Sequence, residues 1–377
     1  MKAYNNMSHK MISDQIISSQ INKNKPTNIP FRGVYEGSIT ALSKNPNSVE
    51  IWWIDKMGAV KGAFWQEGGQ WHQYVLAPEN SAYNDASITA VSRNSNVVDV
   101  WWIGKDGSVQ GAFWQQGGQW QRYELAAKDS ASPFAKIKAV SRNPSTVDVL
   151  WNGLFFSLEG ASWRDGGQWQ RYQVVKEDVQ GQFTVVSRDS GNLNVFWITA
   201  EGMRIDGASW SEGIGWKPFS FPELGYRGEP SVYGNIKAIS RIPNSIELWW
   251  ITKYRAVLGA AWYAQLGPEG RWDIYELASE HSASITGNIT AVSRIPNSME
   301  VWWYGEDNSI QDSFWYEGSQ WRQYSLTPPY STGLRAGELT SLSRKPNTME
   351  VFWIADNTIQ GAFWQEGIGW TRFELMR

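Results

Sequence analysis

The feature that most constrains this chain is a stretch that it writes seven times. The copy from Ile88 to Leu125 reads ITAVSRNSNVVDVWWIGKDGSVQGAFWQQGGQWQRYEL, and the one before it, Ile39 to Leu76, reads ITALSKNPNSVEIWWIDKMGAVKGAFWQEGGQWHQYVL. Further copies open at Ile137, Phe183, Ile236, Ile289 and Leu339, and the last ends at Leu375. A period of roughly fifty residues with several short strands per unit marks a β-propeller. The expected fold class is therefore all-β, a seven-bladed β-propeller with four antiparallel strands per blade. Length alone, 377 residues, would suggest two or three domains. Repeats that close on one another make a single domain instead, expected over 31–377 behind a polar tail over 1–30.

Turn signals divide each copy. In the second, strands are expected over Ile88 to Arg93, Val97 to Ile103, Ser108 to Trp114 and Trp120 to Leu125. Asp106-Gly107 suits a tight hairpin with positive φ, and Gly117-Gly118 makes the next turn. The first strand carries small residues (Thr89, Ala90, Ser92), as an innermost strand near the axis must, while bulky aromatics fill the widening outer space. The copies are uneven. The third loses its Asp-Gly turn and has Leu150 for the first Trp of the doublet, and the fourth has Phe196 there and Asn194 for an acid. The fifth lengthens its last turn (Ala264 to Gly270), and the sixth replaces Gly-Ala by Asp312-Ser313. Seven similar but unequal sites are expected. In the tail, Ile12, Ile16, Ile17 and Ile21 have loosely helical spacing, and a short helix and a disordered leader are both open. Phe31 to Tyr35 could add an edge strand to the closing blade.

Composition excludes several classes. The 34 Lys and Arg against 37 Asp and Glu give a net charge of −3 with no basic tract among the aromatics, which argues against a nucleic-acid surface. No cysteine is present for disulfide or thiolate chemistry, and no bound metal or other cofactor is expected. The N-terminus lacks an apolar core of signal-peptide length, and no stretch is long enough to insert in a membrane. The expected address is cytoplasmic at synthesis, with release by a route that leaves no N-terminal mark open. Tryptophan is the outlier: all 25 lie inside the repeats.

Antiparallel order brings the end of the first strand, the start of the second, the end of the third and the start of the fourth to one edge of the blade. That edge carries a cation: Lys44, Arg93, Arg142, Arg188, Arg241, Arg294 or Arg344. It carries an acid, Glu50, Asp99, Asp148, Glu247, Glu300 or Glu350, with Asn194 in the fourth copy. It also carries a third-strand Trp (Trp65, Trp114, Trp163, Trp210, Trp262, Trp315 or Trp364) and a fourth-strand Trp (Trp71, Trp120, Trp169, Trp216, Trp272, Trp321 or Trp370). Such a set suits a carbohydrate. The C–H face of a pyranose lies on an indole, and its hydroxyls take the donor fork of Arg and the acceptor pair of a carboxylate, bonds roughly twice as strong as neutral ones. Gly62-Ala63 and Gly111-Ala112 are expected to leave room for a ligand near the backbone. Packing between blades explains the same tryptophans, and the cation and acid could simply seal the edge. The first Trp of the doublet, replaced by Leu150, Phe196 and Phe352, is assigned to packing.

Repeats of the form ITAVSR…VEVWWIG…GAFWQEGGQWQRYEL resemble those of the bacterial fucose-binding lectins of the Photorhabdus type, over Ile39 to Leu375. The resemblance implies a seven-bladed propeller with several sugar sites between adjacent blades. It implies L-fucose as ligand, with O-methylated and galactose-type glycans as further candidates, a homo-oligomer, and a role in recognising host or defence glycans. The candidate contacts remain those of the edge.

Catalysis would need carboxylates converging on one substrate, or a Tyr nucleophile within an Arg cluster. Here the acids recur once per blade around a ring, and His9, His72 and His281 stand in unrelated contexts. A protein-interaction propeller without sugar binding is the alternative, although its binding residues would usually sit in unique loops rather than in a repeated set.

Overall fold

Each copy of the repeat folds into a four-stranded antiparallel meander, first to fourth strand in order. The computed structural model describes residues 38–83, 85–132, 135–179, 182–199, 204–263, 271–333, 337–355 and 358–376. The tail over 1–30, Phe31 to Tyr35 and the turn Ala264 to Gly270 lie outside these residues. In blade 2 the strands are Ile88–Asn94, Val97–Ile103, Val109–Gln115 and Gln121–Ala126, each beginning or ending within a residue of its turn-based position. The Asp-Gly hairpin needs its glycine: Gly107 has φ of 74°, and a Cβ there would lie 2.7 Å from the Ala131 carbonyl oxygen. In blade 3, which lacks that turn, Leu154–Phe156 forms a 3₁₀ turn with Phe155 and Phe156 both at positive φ.

The seven sheets form a closed ring. First strands touch one another from blade to blade, and the first strand of blade 7, Leu339–Leu342, touches that of blade 1, Ile39–Leu42. Blade 7 takes all four of its strands from the C-terminal copy, the others being Thr348–Ala355, Thr358–Gln365 and Gly369–Met376. Small residues let the inner strands approach. The Thr89 hydroxyl accepts from the Ala139 amide at 3.2 Å, and the Thr184 hydroxyl from the Ala238 amide at 3.1 Å. The axis is narrow enough for Lys138 of blade 3 to reach Glu338 of blade 7 at 3.3 Å.

The second strand is the heart of each blade, buried along its whole length in blades 1, 3, 5 and 6. Strand alternation turns the two doublet residues to opposite sides. The first (Trp52, Trp101, Leu150, Phe196, Trp249, Trp302, Phe352) is wholly buried in every blade. The second is nearly so, and Trp250 donates its indole N–H to the Gly228 carbonyl at 3.0 Å, in the crossing from blade 4. The first doublet residue, assigned to packing, has no exposed surface in any blade.

Candidate functional site

The register within a blade decides where the edge residues go. In blade 2, Asp99 stands opposite Phe113, and Val98 opposite Trp114. Paired residues share a face and neighbours along a strand alternate, so the acid and the Trp of one blade point to opposite sides. The same holds in blade 1, where Glu50 faces Phe64 and Val49 faces Trp65. The shared edge is as expected, but each candidate site draws its cation and acid from one blade and its two tryptophans from the next.

Seven cation–indole contacts run round the ring. Lys44 lies over Trp114 (4.1 Å to the ring centroid), Arg93 over Trp163 (4.4 Å), Arg142 over Trp210 (4.3 Å) and Arg188 over Trp262 (5.0 Å). Arg241 lies over Trp315 (5.0 Å), Arg294 over Trp364 (4.9 Å) and, across the closure, Arg344 over Trp65 (4.8 Å). Each such contact stabilises by about 0.5–2 kcal/mol, depending on how dry it is. In blades 1, 2, 3, 5 and 7 the acid of the same blade sits beneath the cation. Lys44 pairs with Glu50 (2.5 Å), Arg93 with Asp99 (2.8 Å), Arg142 with Asp148 (2.9 Å), Arg241 with Glu247 (3.3 Å), and Arg344 with Glu350. All the acids are buried. Burial pushes the carboxyls of Asp99 and Asp148 up against the pull of Arg93 and Arg142, and that of Glu350 up to about 7 despite Arg344.

The fourth-strand tryptophans are clamped. Trp120 meets the edge of Trp52 (6.2 Å, 82°) and stacks on Tyr74 (6.0 Å, 25°), both of blade 1. Trp169 is held likewise by Trp101 and Tyr123 of blade 2, and Trp321 by Trp249 and Tyr275 of blade 5. Trp71 meets the edge of Phe352, Trp272 that of Phe196, and Trp370 that of Trp302, while Trp216 packs on Tyr172. These rings are half-buried, so each is at once wedge and wall.

The room beside Gly62 and Gly111 does not belong to a ligand. A Cβ on Gly62 would lie 2.4 Å from the Tyr74 ring, and one on Gly111 2.5 Å from that of Tyr123. The fourth-strand tyrosine fills the space, and its hydroxyl accepts from the doublet indole: Trp52 to Tyr74 at 2.8 Å, Trp101 to Tyr123 at 2.9 Å. Blade 6 shows the consequence of losing the glycine. Asp312 takes the place, accepts from the Tyr324 hydroxyl at 2.6 Å, and burial together with its charge pushes Glu300 well above the carboxylate range.

Hollows open beside the rings. One of about 470 Å³ between blades 1 and 2 is lined by Lys44, Glu50, Phe64, Gln66 and Trp114, and one of about 410 Å³ between blades 2 and 3 by Arg93, Asp99, Phe113, Tyr123, Trp163 and Trp169. A third, about 250 Å³, spans the closure among Arg344, Glu350, Phe363, Trp65 and Trp71. The larger two fall within the range of small-molecule sites, about 300–1,000 Å³. Phe64, Phe113 and Phe363 were not among the candidates. Their place just before the third-strand Trp, and hence on the opposite face, was the available signal. The cleft between blades 4 and 5 is neutral where the others hold an acid. Arg188 Nε and Asn194 Oδ1 are buried there without a hydrogen-bond partner among the described residues.

No protein-family model matches this sequence, and no curated protein matches it. Among solved structures the chain is similar to the BP39L lectin from Burkholderia pseudomallei, with a TM-score of 0.79 and 16% identity over 90% of this chain and 99% of that one. It is similar to the fungal Aleuria aurantia lectin, a six-bladed β-propeller described with a novel fucose recognition mode (TM-score 0.56, 16% identity, 92% and 97% covered). It is also similar to the SapL1 lectin in complex with α-methyl fucoside (TM-score 0.55, 15% identity, 91% and 96% covered). At these identities the likeness establishes the propeller architecture.

Proposed function

We propose that the chain is a multivalent, non-catalytic lectin of the Photorhabdus type, whose interblade clefts take L-fucose and related O-methylated or galactose-type residues. One observation supports this reading above the rest: a cation meets the third-strand indole of the next blade seven times over. In five of them it is paired with a buried acid of its own blade, and hollows lined by cation, acid and indole open beside Lys44, Arg93 and Arg344. A fucose ring placed there lays its apolar face on the aromatic wall and presents hydroxyls to guanidinium and carboxylate. The lectins that share the fold, described with fucose or a fucoside, support the choice of sugar. Several clefts on one rigid ring raise the effective concentration for a second contact, so avidity on a glycan surface exceeds single-site affinity by roughly 10² to 10⁴. Passage over fucose-agarose tests the reading. Retention reversed by free fucose supports it, whereas flow-through of folded protein overturns it in favour of an interaction scaffold. A panel of O-methylated and galactose-type competitors then ranks the ligands.

A further inference from the structure

The residue after the third-strand Trp is Gln66, Gln115 and Gln365 in blades 1, 2 and 7, Arg164 and Ser211 in blades 3 and 4, and tyrosine in blades 5 and 6. It stands on the cleft face of its own blade: Tyr263 pairs with Ser245 and Tyr316 with Ser298 at the mouth of the second strand. In the cleft between blades 5 and 6, Arg241 donates from Nη2 to the Tyr263 hydroxyl at 3.0 Å, and that hydroxyl donates onward to Glu247 Oε1 at 2.9 Å. The remaining guanidinium bonds go to the Pro296 carbonyl of the next blade at 2.7 Å and to Glu247 at 3.3 Å. Between blades 6 and 7, Arg294 likewise donates to the Tyr316 hydroxyl at 2.8 Å and to the Pro346 carbonyl. By contrast, in the cleft between blades 1 and 2 the equivalent Gln66 lines an open hollow beside Lys44 and Glu50.

The Tyr263 hydroxyl, which accepts from the guanidinium and donates to the carboxylate, makes both bonds that a sugar hydroxyl would make in the same cleft, and the Tyr316 hydroxyl makes the first of them. We infer that Tyr263 and Tyr316 act as built-in ligands, closing the clefts after blades 5 and 6 so that fucose binds only where the residue at this position does not bond to the cation of its own blade. This rests on the lectin reading above and adds a residue that decides which clefts are open. The loss is specific to the cation and acid. The wall opposite keeps its two tryptophans, Trp315 with Trp321 and Trp364 with Trp370, although Trp364 is more deeply buried than its counterparts.

The test counts sites. Equilibrium dialysis with labelled α-methyl-L-fucoside is run on the full chain and on the double variant Tyr263→Gln/Tyr316→Gln, which installs the residue that blades 1, 2 and 7 use. The expected result is a gain of one site for each cleft opened, at an affinity like that of the original sites. An unchanged count in a variant that binds, or a lower one, overturns this inference alone, because the tyrosines would then be bystanders or contacts. Failure of both proteins to bind overturns the lectin reading along with it. Should the double variant not fold, the Tyr263→Phe and Tyr316→Phe single variants delete only the hydroxyl, and each is expected to gain its own site.

Discussion

Two populations of tryptophan share each blade, and they live under different rules. The doublet on the second strand is buried from all sides, and the chain changes its members only for other apolar side chains: Leu150, Phe196 and Phe352 sit at no exposure where Trp101 and Trp249 sit in other blades. The third-strand Trp is half-buried in six blades and nearly buried in the seventh (Trp364), it never varies, and its free face is covered by a cation from the blade before. Filling a wedge requires volume, which several side chains supply. Holding a guanidinium or a sugar requires a large, electron-rich face, which indole supplies best. On the proposed function, the difference assigns stability mainly to the doublet and recognition to the third-strand ring of the same blade.

The largest expected effect tests that division directly. Trp249→Ala empties a fully buried site and removes the N–H donor of the Tyr275 hydroxyl, and should cost about 3–5 kcal/mol in urea unfolding. Trp163→Ala should cost only about 1–2 kcal/mol, for lost cation–indole contact and partial burial, while abolishing fucose binding in the cleft it lines. Equal costs would return the third-strand tryptophans to packing. The clamp on Trp120 also places the fourth-strand rings nearer the first population. A Trp114→Ala/Trp120→Ala double variant should therefore unfold earlier than the natural chain, because Trp52 and Tyr74 lose the ring packed on them.

A smaller effect separates charge from shape. Arg93→Lys keeps a positive charge above Asp99 and over Trp163, as Lys44 does naturally above Glu50, but gives up the planar fork. Stability should change by less than about 1 kcal/mol, whereas fucose affinity in that cleft should fall about tenfold, measured by titration calorimetry on the isolated chain. Arg93→Ala removes the charge and leaves Asp99 buried alone, which should cost about 3–5 kcal/mol. If the Lys and Ala variants lose stability equally, the pair works through the fork and not through its charge.

How much of this was legible in the sequence follows from what a one-dimensional pattern encodes. The repeat spacing and the turn residues locate the strands to within a residue, because Asp-Gly and Gly-Gly allow few backbone conformations. The edge position of Arg93, Asp99, Trp114 and Trp120 was legible too, since it depends only on distance from a turn. Their distribution between two blades was not read, because it depends on face as well as edge. The alternation of Val98 with Asp99 and of Phe113 with Trp114 carried that information. The role of Gly62 was hidden for another reason: the ring that fills its missing Cβ lies twelve residues away on Tyr74, and nothing local to the glycine points to it. Nor does the tyrosine after Trp262 declare its place until its hydroxyl is seen between Arg241 and Glu247.

The acids give a pH-dependent comparison between folded packing and binding. Burial holds the Glu350 carboxyl at about 7, above its ordinary value of 4.5. The folded protein therefore binds that proton more tightly than the unfolded chain. The stability it contributes is fully present below about pH 4.5 and is lost as pH rises through about 7. The urea midpoint should decline over that window in the natural chain and less so in Glu350→Gln. On the proposed function the ionised Glu350 carboxylate is the sugar's acceptor, so binding runs the opposite way in the cleft after blade 7. Fucose affinity there should weaken as pH falls from 8 to 6, and a flat profile would mean that Glu350 is only a support for Arg344.

The smallest effect belongs to the neutral cleft after blade 4, and it asks whether the acid is a ligand or a strut. Asn194 donates to Ser209 at 2.7 Å and leaves its own oxygen buried and unpartnered, while Arg188 Nε is also unpaired among the described residues. Asn194→Asp supplies the missing charge at nearly the same volume. Desolvating the new carboxylate offsets most of what pairing with Arg188 gains, so stability should move by less than about 1 kcal/mol in either direction. An acceptor that has become ionic strengthens each hydrogen bond to a sugar hydroxyl by about 1 kcal/mol, and fucose affinity in this cleft should rise several-fold. A rise without a change in thermal midpoint assigns the acid to the ligand. A higher midpoint with no gain in binding would make the buried carboxylate of the other six blades a brace for the cation, and would leave the indole and the guanidinium to recognise the sugar by themselves.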